Sequence, residues 1–193
     1  MKIIKKEAQF IIPAFLCVLF FLIINFKRFY FVSDLSYWSS YIINQPYRIL
    51  SYSFVHKDLN HLLSNLFGIV VIRYCFITLN LKNIFLFLYL IILLIPIQTF
   101  CLFIIDNFLI YNPNHLLVGF SGVVFGTFSF ILLSSLYGKE YILNIFIGLK
   151  KNYEINRLMT IFLSLGIVYS FLPRISLSGH IAGILSGFVI FIL

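Results

Sequence analysis

Six long apolar runs, separated by short polar gaps, leave this chain little choice of fold. They fall at about 8–26, 59–78, 83–105, 119–137, 157–172 and 177–193. A helix that crosses a bilayer needs roughly 20 mostly apolar residues, about 17–25 in practice. In lipid every backbone N–H and C=O has to be paired inside the element, which helices do by themselves. The pattern predicts an all-α, polytopic membrane protein: one domain over residues 1–193, a bundle of six transmembrane helices. The last two runs are short, and tilt, local thinning of the bilayer or shielding by neighbouring helices accommodates them. Composition agrees, with 62% hydrophobic and 10% charged residues, whereas soluble domains are nearer half apolar and a quarter charged.

The net charge of +8 raises nucleic acid as a partner, but the fourteen basic residues form no stripe. They sit in the gaps between the apolar runs, where Lys and Arg orient membrane proteins. With the N-terminus in the cytoplasm, the inner segments hold Lys2, Lys5, Lys6, Arg73, Lys82, Lys139, Lys150, Lys151 and Arg157. The outer ones hold Lys27, Arg28, Arg48, Lys57 and Arg174, a bias that favours this orientation. An integral protein of a bacterial cytoplasmic membrane is expected, with lipid as its surroundings and no nucleic acid. The basic start and long apolar run up to Asn25 lack a small-x-small cleavage site, so a retained helix is expected rather than a removed leader. Arg73 is expected to snorkel from the inner end of the second span.

Residues 27–58 form the one sizeable loop, associated with the membrane. Phe29, Tyr30, Phe31, Tyr37, Trp38, Tyr41 and Tyr47 give it the aromatic density of a segment at headgroup depth. Leu35, Trp38 and Ile42 recur at helical spacing, with Ser33 and Asp34 as candidate caps. Tyr141–Leu149 is too short to span and reads as interfacial. Asn112-Pro113-Asn114 reads as a turn, and His115 beside it as solvated or structural. Cys17, Cys75 and Cys101 show no CxxC pairing and read as buried small hydrophobes, not as a disulfide or metal site.

Polar groups in a span are costly and mark function. Span two opens with His61-Leu-Leu-Ser-Asn65, span four with Gly119-Phe-Ser121-Gly122, and span six with Ser178-Gly179-His180. Alternate spans run in the same direction, so all three clusters occupy one layer, whichever way the chain is inserted. Gly122 and Gly126 are four apart, as are Gly183 and Gly187. Small-xxx-small faces let helix backbones approach closely in lipid. If spans four and six pack through these faces, Ser121 and His180 meet.

A serine hydroxyl becomes a nucleophile when a neutral imidazole within about 2.6–3.2 Å takes its proton. His180 is the only histidine in spans four to six and the natural base. His61 and Asn65, one helical turn apart, can both donate to an oxyanion, and the backbone N–H of Ser121 at a helix start adds a third donor. Glu7, Asp34, Asp58, Asp106, Glu140 and Glu154 all fall outside the expected spans, so a Ser–His dyad is expected instead of a carboxylate triad. Neither an HExxH zinc motif nor a pair of membrane aspartates is present; no metal or other cofactor is expected.

These residues carry a family resemblance over nearly the whole chain. Tyr47-Arg48, His56, His61-x-x-x-Asn65, Gly119-Phe-Ser121-Gly122 and His180-x-x-Gly183-x-x-x-Gly187 resemble the rhomboid intramembrane serine proteases in their compact six-helix bacterial form. The resemblance implies Ser121 as nucleophile, His180 as general base, and His61 with Asn65 in the oxyanion hole. It implies transmembrane proteins as substrates, cut near the outer boundary, with the fifth span and residues 171–178 as the mobile edge that admits them. Two positions depart from the common pattern: Tyr47 stands where Trp is usual, and Phe125 where a Tyr usually stacks on the catalytic His. His56 is expected to hold the first loop. Two other classes compete, a catalytically inactive rhomboid-like protein that binds or escorts membrane clients, and a small transporter. The former relatives usually lack the Ser or His, and transporters commonly carry charges within their spans.

Overall fold

Every long apolar run becomes a helix. The computed structural model describes residues 2–26, 30–81, 83–112, 114–173 and 175–193. In chain order the helices are α1 (Lys2–Phe26), α2 (Tyr30–Leu35), α3 (Arg48–Ser51), α4 (Leu59–Thr78), α5 (Leu86–Ile104), α6 (Ser121–Tyr137), α7 (Tyr153–Tyr169) and α8 (Leu177–Ile192). Two small antiparallel ladders join them: β1 (Tyr37–Trp38) pairs with β2 (Leu116–Leu117), and β3 (Lys139–Ile142) with β4 (Ile145–Leu149). Lys27, Arg28, Phe29, Lys82, Pro113 and Arg174 lie outside the described residues, as do the side chains of Lys2, Lys5, Tyr30 and Phe31.

Helix starts follow from local chemistry. Asp58, Asn152 and Ser176 accept backbone N–H groups of His61 (2.8 Å), Ile155 (3.0 Å) and Gly179 (3.1 Å), capping α4, α7 and α8. Each cap satisfies a donor that the first helical turn leaves open. The residue before α5 caps nothing with its side chain. Gln9 of α1 does so instead: its buried side-chain oxygen accepts from Phe87 N–H at 2.9 Å. That bond fastens α1 to the start of α5.

α6 is the axis of the bundle, buried along most of its length and surrounded by α4, α5, α7 and α8. A Cβ on Gly183 would press into the carbonyl of Gly122, and one on Gly187 into the carbonyl of Gly126. The glycine faces of α6 and α8 are therefore in backbone contact. Residues 6–25, 59–78 and 86–109 are helical stretches long and apolar enough to cross a membrane, while α6 and α8 are apolar but shorter. Of these two α6 is the inner one, whereas α8 packs on α6 and α5 and keeps an exposed apolar face through Ile181, Leu185, Phe188 and Ile192. Phe15, Phe67, Val70, Ile92, Phe100 and Val168 point outward from the bundle, the surface that lipid requires. The chain is a polytopic helical membrane bundle.

Two local expectations, the helix through Ile42 and the absence of acids from the spans, are corrected, and residues 141–149 and Arg73 gain detail. The helix expected through Leu35, Trp38 and Ile42 stops at Leu35, and Ser33 and Asp34 lie inside α2 instead of capping it. The cause is Arg48, whose Nη1 donates to the carbonyls of Ser33 (2.6 Å) and Ser36 (2.7 Å), freeing the chain to pair Tyr37 with Leu117. Residues 141–149 belong to a β-hairpin, with Leu143 and Asn144 at positive φ making a two-residue turn of the primed kind. Ile142, Ile147 and Leu149 face the bundle from it. Arg73 is paired, with Nε 2.6 Å from Glu7 of α1. Two carboxylates do lie within spans, Glu7 in the first and Asp106 in the third, because α5 continues through a π-helical turn, Ile105–Leu109. Asp106 is buried against His115 Nδ1 at 2.9 Å, which makes His115 structural.

Candidate active site

The starts of α4, α6 and α8 gather at one end of the bundle, beneath the first loop. α6 is entered through Gly119 at φ +117°, a conformation that L side chains rarely adopt. Space demands glycine there as well, since a Cβ would strike His61 Nε2. The Gly119 N–H donates to the carbonyl of Tyr52 at 2.9 Å, so the first loop holds this turn. Two residues later Ser121 opens α6, half-buried, with no side-chain cap in front of it. Its backbone N–H belongs to the first turn, where helix donors are unpaired and the dipole favours negative charge.

His61 lies against this turn through Nε2, while its Nδ1 is buried without a partner among the described residues. Asn65, one turn along α4, is buried, and its amide nitrogen lies 3.5 Å from where a Gly119 Cβ would stand. The same nitrogen is anchored by His56 Nε2 at 2.9 Å. His56 Nδ1 lies 3.0 Å from the Phe54 carbonyl, which can only accept. Nδ1 therefore carries the proton, and Nε2 accepts from Asn65. His56 thus does more than hold the loop, because it aims the Asn65 amide.

Burial pushes the His56 imidazole down to about 4, with the neighbouring His61 adding to the effect. An unfolded chain takes up this proton through pH 6.5, whereas the folded chain refuses it until about pH 4. Stability contributed by neutral His56 is therefore complete above pH 6.5 and is lost on acidification across that window, on the order of 3 kcal/mol in all. Thermal melting in detergent should fall more steeply from pH 7 to pH 4.5 for the wild type than for His56→Gln. Equal slopes would show that His56 is not the buried neutral group described.

His180 lies one turn into α8 and is buried. The ring of Phe125 stacks on its imidazole, with centroids 4.1 Å apart and planes within 10°, so the phenyl stacks without a hydroxyl. A Cβ on Gly166 of α7 would collide with Phe125 from the side of α7; Phe125 is held between α7 and the imidazole. Ser121 and Phe125 are four apart on α6, hence on one face. The face that carries the phenyl against His180 thus carries the Ser121 hydroxyl one turn nearer the bundle end. Ser121 Oγ and His180 share no hydrogen bond among the described residues.

Sequence reasoning missed two neighbours. Gln98 of α5 is fully buried beside Gly122, both amide atoms without partners among the described residues. Ser170, which closes α7, lies 2.5 Å from His180 Nδ1. A polar residue amid the apolar run of α5 and the small-xxx-small pair Gly166–Ser170 were their available signals.

No curated protein matches this chain. A family model described as Rhomboid domain matches residues 43–193, a stretch that holds α3 to α8 and all four of His61, Asn65, Ser121 and His180. The protein belongs to the rhomboid family.

Proposed function

We propose that this protein is an intramembrane serine endopeptidase that hydrolyses peptide bonds in or near the transmembrane segments of other membrane proteins. The observation that carries the reading is the parallel stack of Phe125 on His180 across the glycine contact of α6 and α8. It supports an imidazole fixed one turn from a helix-opening serine, at the bundle end where His61 and Asn65 converge on Gly119.

Ser121 Oγ attacks the scissile carbonyl while His180 Nε2 takes its proton. The oxyanion forms among the Ser121 N–H, Asn65 Nδ2 and His61 Nε2. His180 then protonates the leaving amine, and a water, deprotonated by the same imidazole, releases the acyl group and regenerates Ser121. Substrate approaches past α7 and residues 171–178, where Val168, Tyr169, Phe171 and Leu172 offer exposed apolar side chains. The site opens to the outer side of a bacterial cytoplasmic membrane, with the N-terminus in the cytoplasm.

A serine-directed fluorophosphonate separates this reading from a client-binding relative without catalysis. In proteoliposomes the wild type should label at Ser121, as found by peptide mapping, and His180→Ala should label far more slowly. A wild type that stays unlabelled in lipid would favour the escort.

A further inference from the structure

A second contact holds the His180 imidazole, from a residue outside the Ser121, His61–Asn65 and His180 motifs. Ser170 Oγ lies 2.5 Å from His180 Nδ1 and 2.6 Å from the carbonyl oxygen of Gly166. Ser170 is 2% exposed and forms the C-cap of α7, so no bulk water competes for these bonds. A hydroxyl has one proton to give, and a carbonyl oxygen can only accept. The Ser170 O–H therefore goes to Gly166, since the reverse arrangement would set lone pairs face to face at 2.6 Å. That leaves a lone pair of Ser170 Oγ toward His180, and Nδ1 must be the protonated nitrogen that donates to it. Nε2 then carries the ring's free lone pair.

We propose that Ser170 is a positioning residue for His180, fixing the imidazole as its Nδ1–H tautomer with Nε2 directed to Ser121. The proposal rests on the Ser121–His180 reading and adds what that dyad lacks. In soluble triads a carboxylate on Nδ1 selects the tautomer and supports the imidazolium. Here a hydroxyl, itself oriented by a helix carbonyl, occupies that place. As Nε2 takes up the proton, the Nδ1–H to Oγ bond becomes charge-assisted and strengthens. Phe125 holds the face of the ring while Ser170 holds its edge, and Gly166 serves both by making room for the phenyl and supplying the carbonyl. The arrangement commits the outer end of α7 to stay beside α8 during proton transfer.

The test uses the full chain in lipid, with Ser170→Ala and Ser170→Thr. Loss of the bond in Ser170→Ala should lower kcat about 10- to 30-fold and leave KM unchanged, because Ser170 touches the base and not the substrate. Thr keeps a hydroxyl able to bond the carbonyl one turn back, and Ser170→Thr should recover most of the loss. The readout that a merely structural role would not move is the ¹⁵N spectrum of labelled imidazoles, with His180 assigned by difference against His180→Gln. The wild type should show His180 as the Nδ1–H tautomer, and Ser170→Ala a mixture.

An Nε2–H tautomer in the wild type overturns the proposal. So does a Ser170→Ala variant with unchanged kcat, or one that loses activity without any change of tautomer. The spectrum needs no substrate, so it decides on Ser170 even if proteolysis by Ser121 itself fails to appear, a result that would sink the protease reading separately.

Discussion

Ser121→Ala should abolish cleavage of a reporter transmembrane substrate in proteoliposomes and leave the melting temperature within about a degree of the wild type. Removing the nucleophile of a serine hydrolase costs on the order of 10⁶ in kcat, beyond the floor of any gel-based cleavage assay. Stability is spared because Ser121 Oγ makes no hydrogen bond among the described residues and caps no helix, so the substitution removes an oxygen that the fold does not use. His180→Ala should be as inactive yet melt lower, since it takes a ring from Phe125 and a donor from Ser170. The two losses do not add, and the double variant should be no less active than either single one. Asn65→Ala should retain a measurable remnant, down about 10²–10³-fold, as expected for one oxyanion donor. Cleavage near the wild-type rate in Ser121→Ala would end the protease reading, whatever the other variants did.

The parts of this fold that were legible in the sequence are those governed by a single local rule. Apolar run length set the helices, because lipid leaves the backbone no other partners. The three polar clusters shared a layer because alternate spans share a direction, and glycine spacing brought α6 against α8. What was not legible depended on partners distant in sequence. The helix expected through Ile42 ended at Leu35 because Arg48, fifteen residues after Ser33, takes its terminal carbonyls. Asp106 counted as a loop residue until a π-helical turn drew it into the third span against His115. Around the candidate site the spacing of the motif residues was legible, but the groups that hold them were not. His56 aims Asn65 from nine residues away, and Ser170 reaches His180 from another helix. A serine closing an apolar helix has many ordinary uses; only the position of the Gly166 carbonyl decides where its proton goes.

The contact of α6 with α8 supports the second large effect, expected from Gly183→Ala and Gly187→Ala. In both, the new methyl would meet backbone, the carbonyl of Gly122 or of Gly126, and no change of rotamer moves a carbonyl that is already bonded within its helix. The helices must separate, and overpacking of this kind costs about 1–3 kcal/mol, occasionally more. Each variant should therefore melt several degrees below the wild type. Their activities should part company. Gly183 is three residues from His180, whereas Gly187 is seven, so displacement at Gly183 carries the imidazole away from Ser121 more directly. A misplacement of about 1 Å at reacting groups costs on the order of 10²-fold; Gly183→Ala should lose that much, and Gly187→Ala distinctly less at equal loss of stability. Gly166→Ala offers the contrast, since its methyl would meet the tip of the Phe125 side chain and not backbone. It should melt closer to the wild type while still disturbing the ring that stacks on His180. If Gly183→Ala kept both its melting temperature and its turnover, the two helices would not meet at their glycines. Nothing would then hold the imidazole of α8 one turn from the hydroxyl of α6.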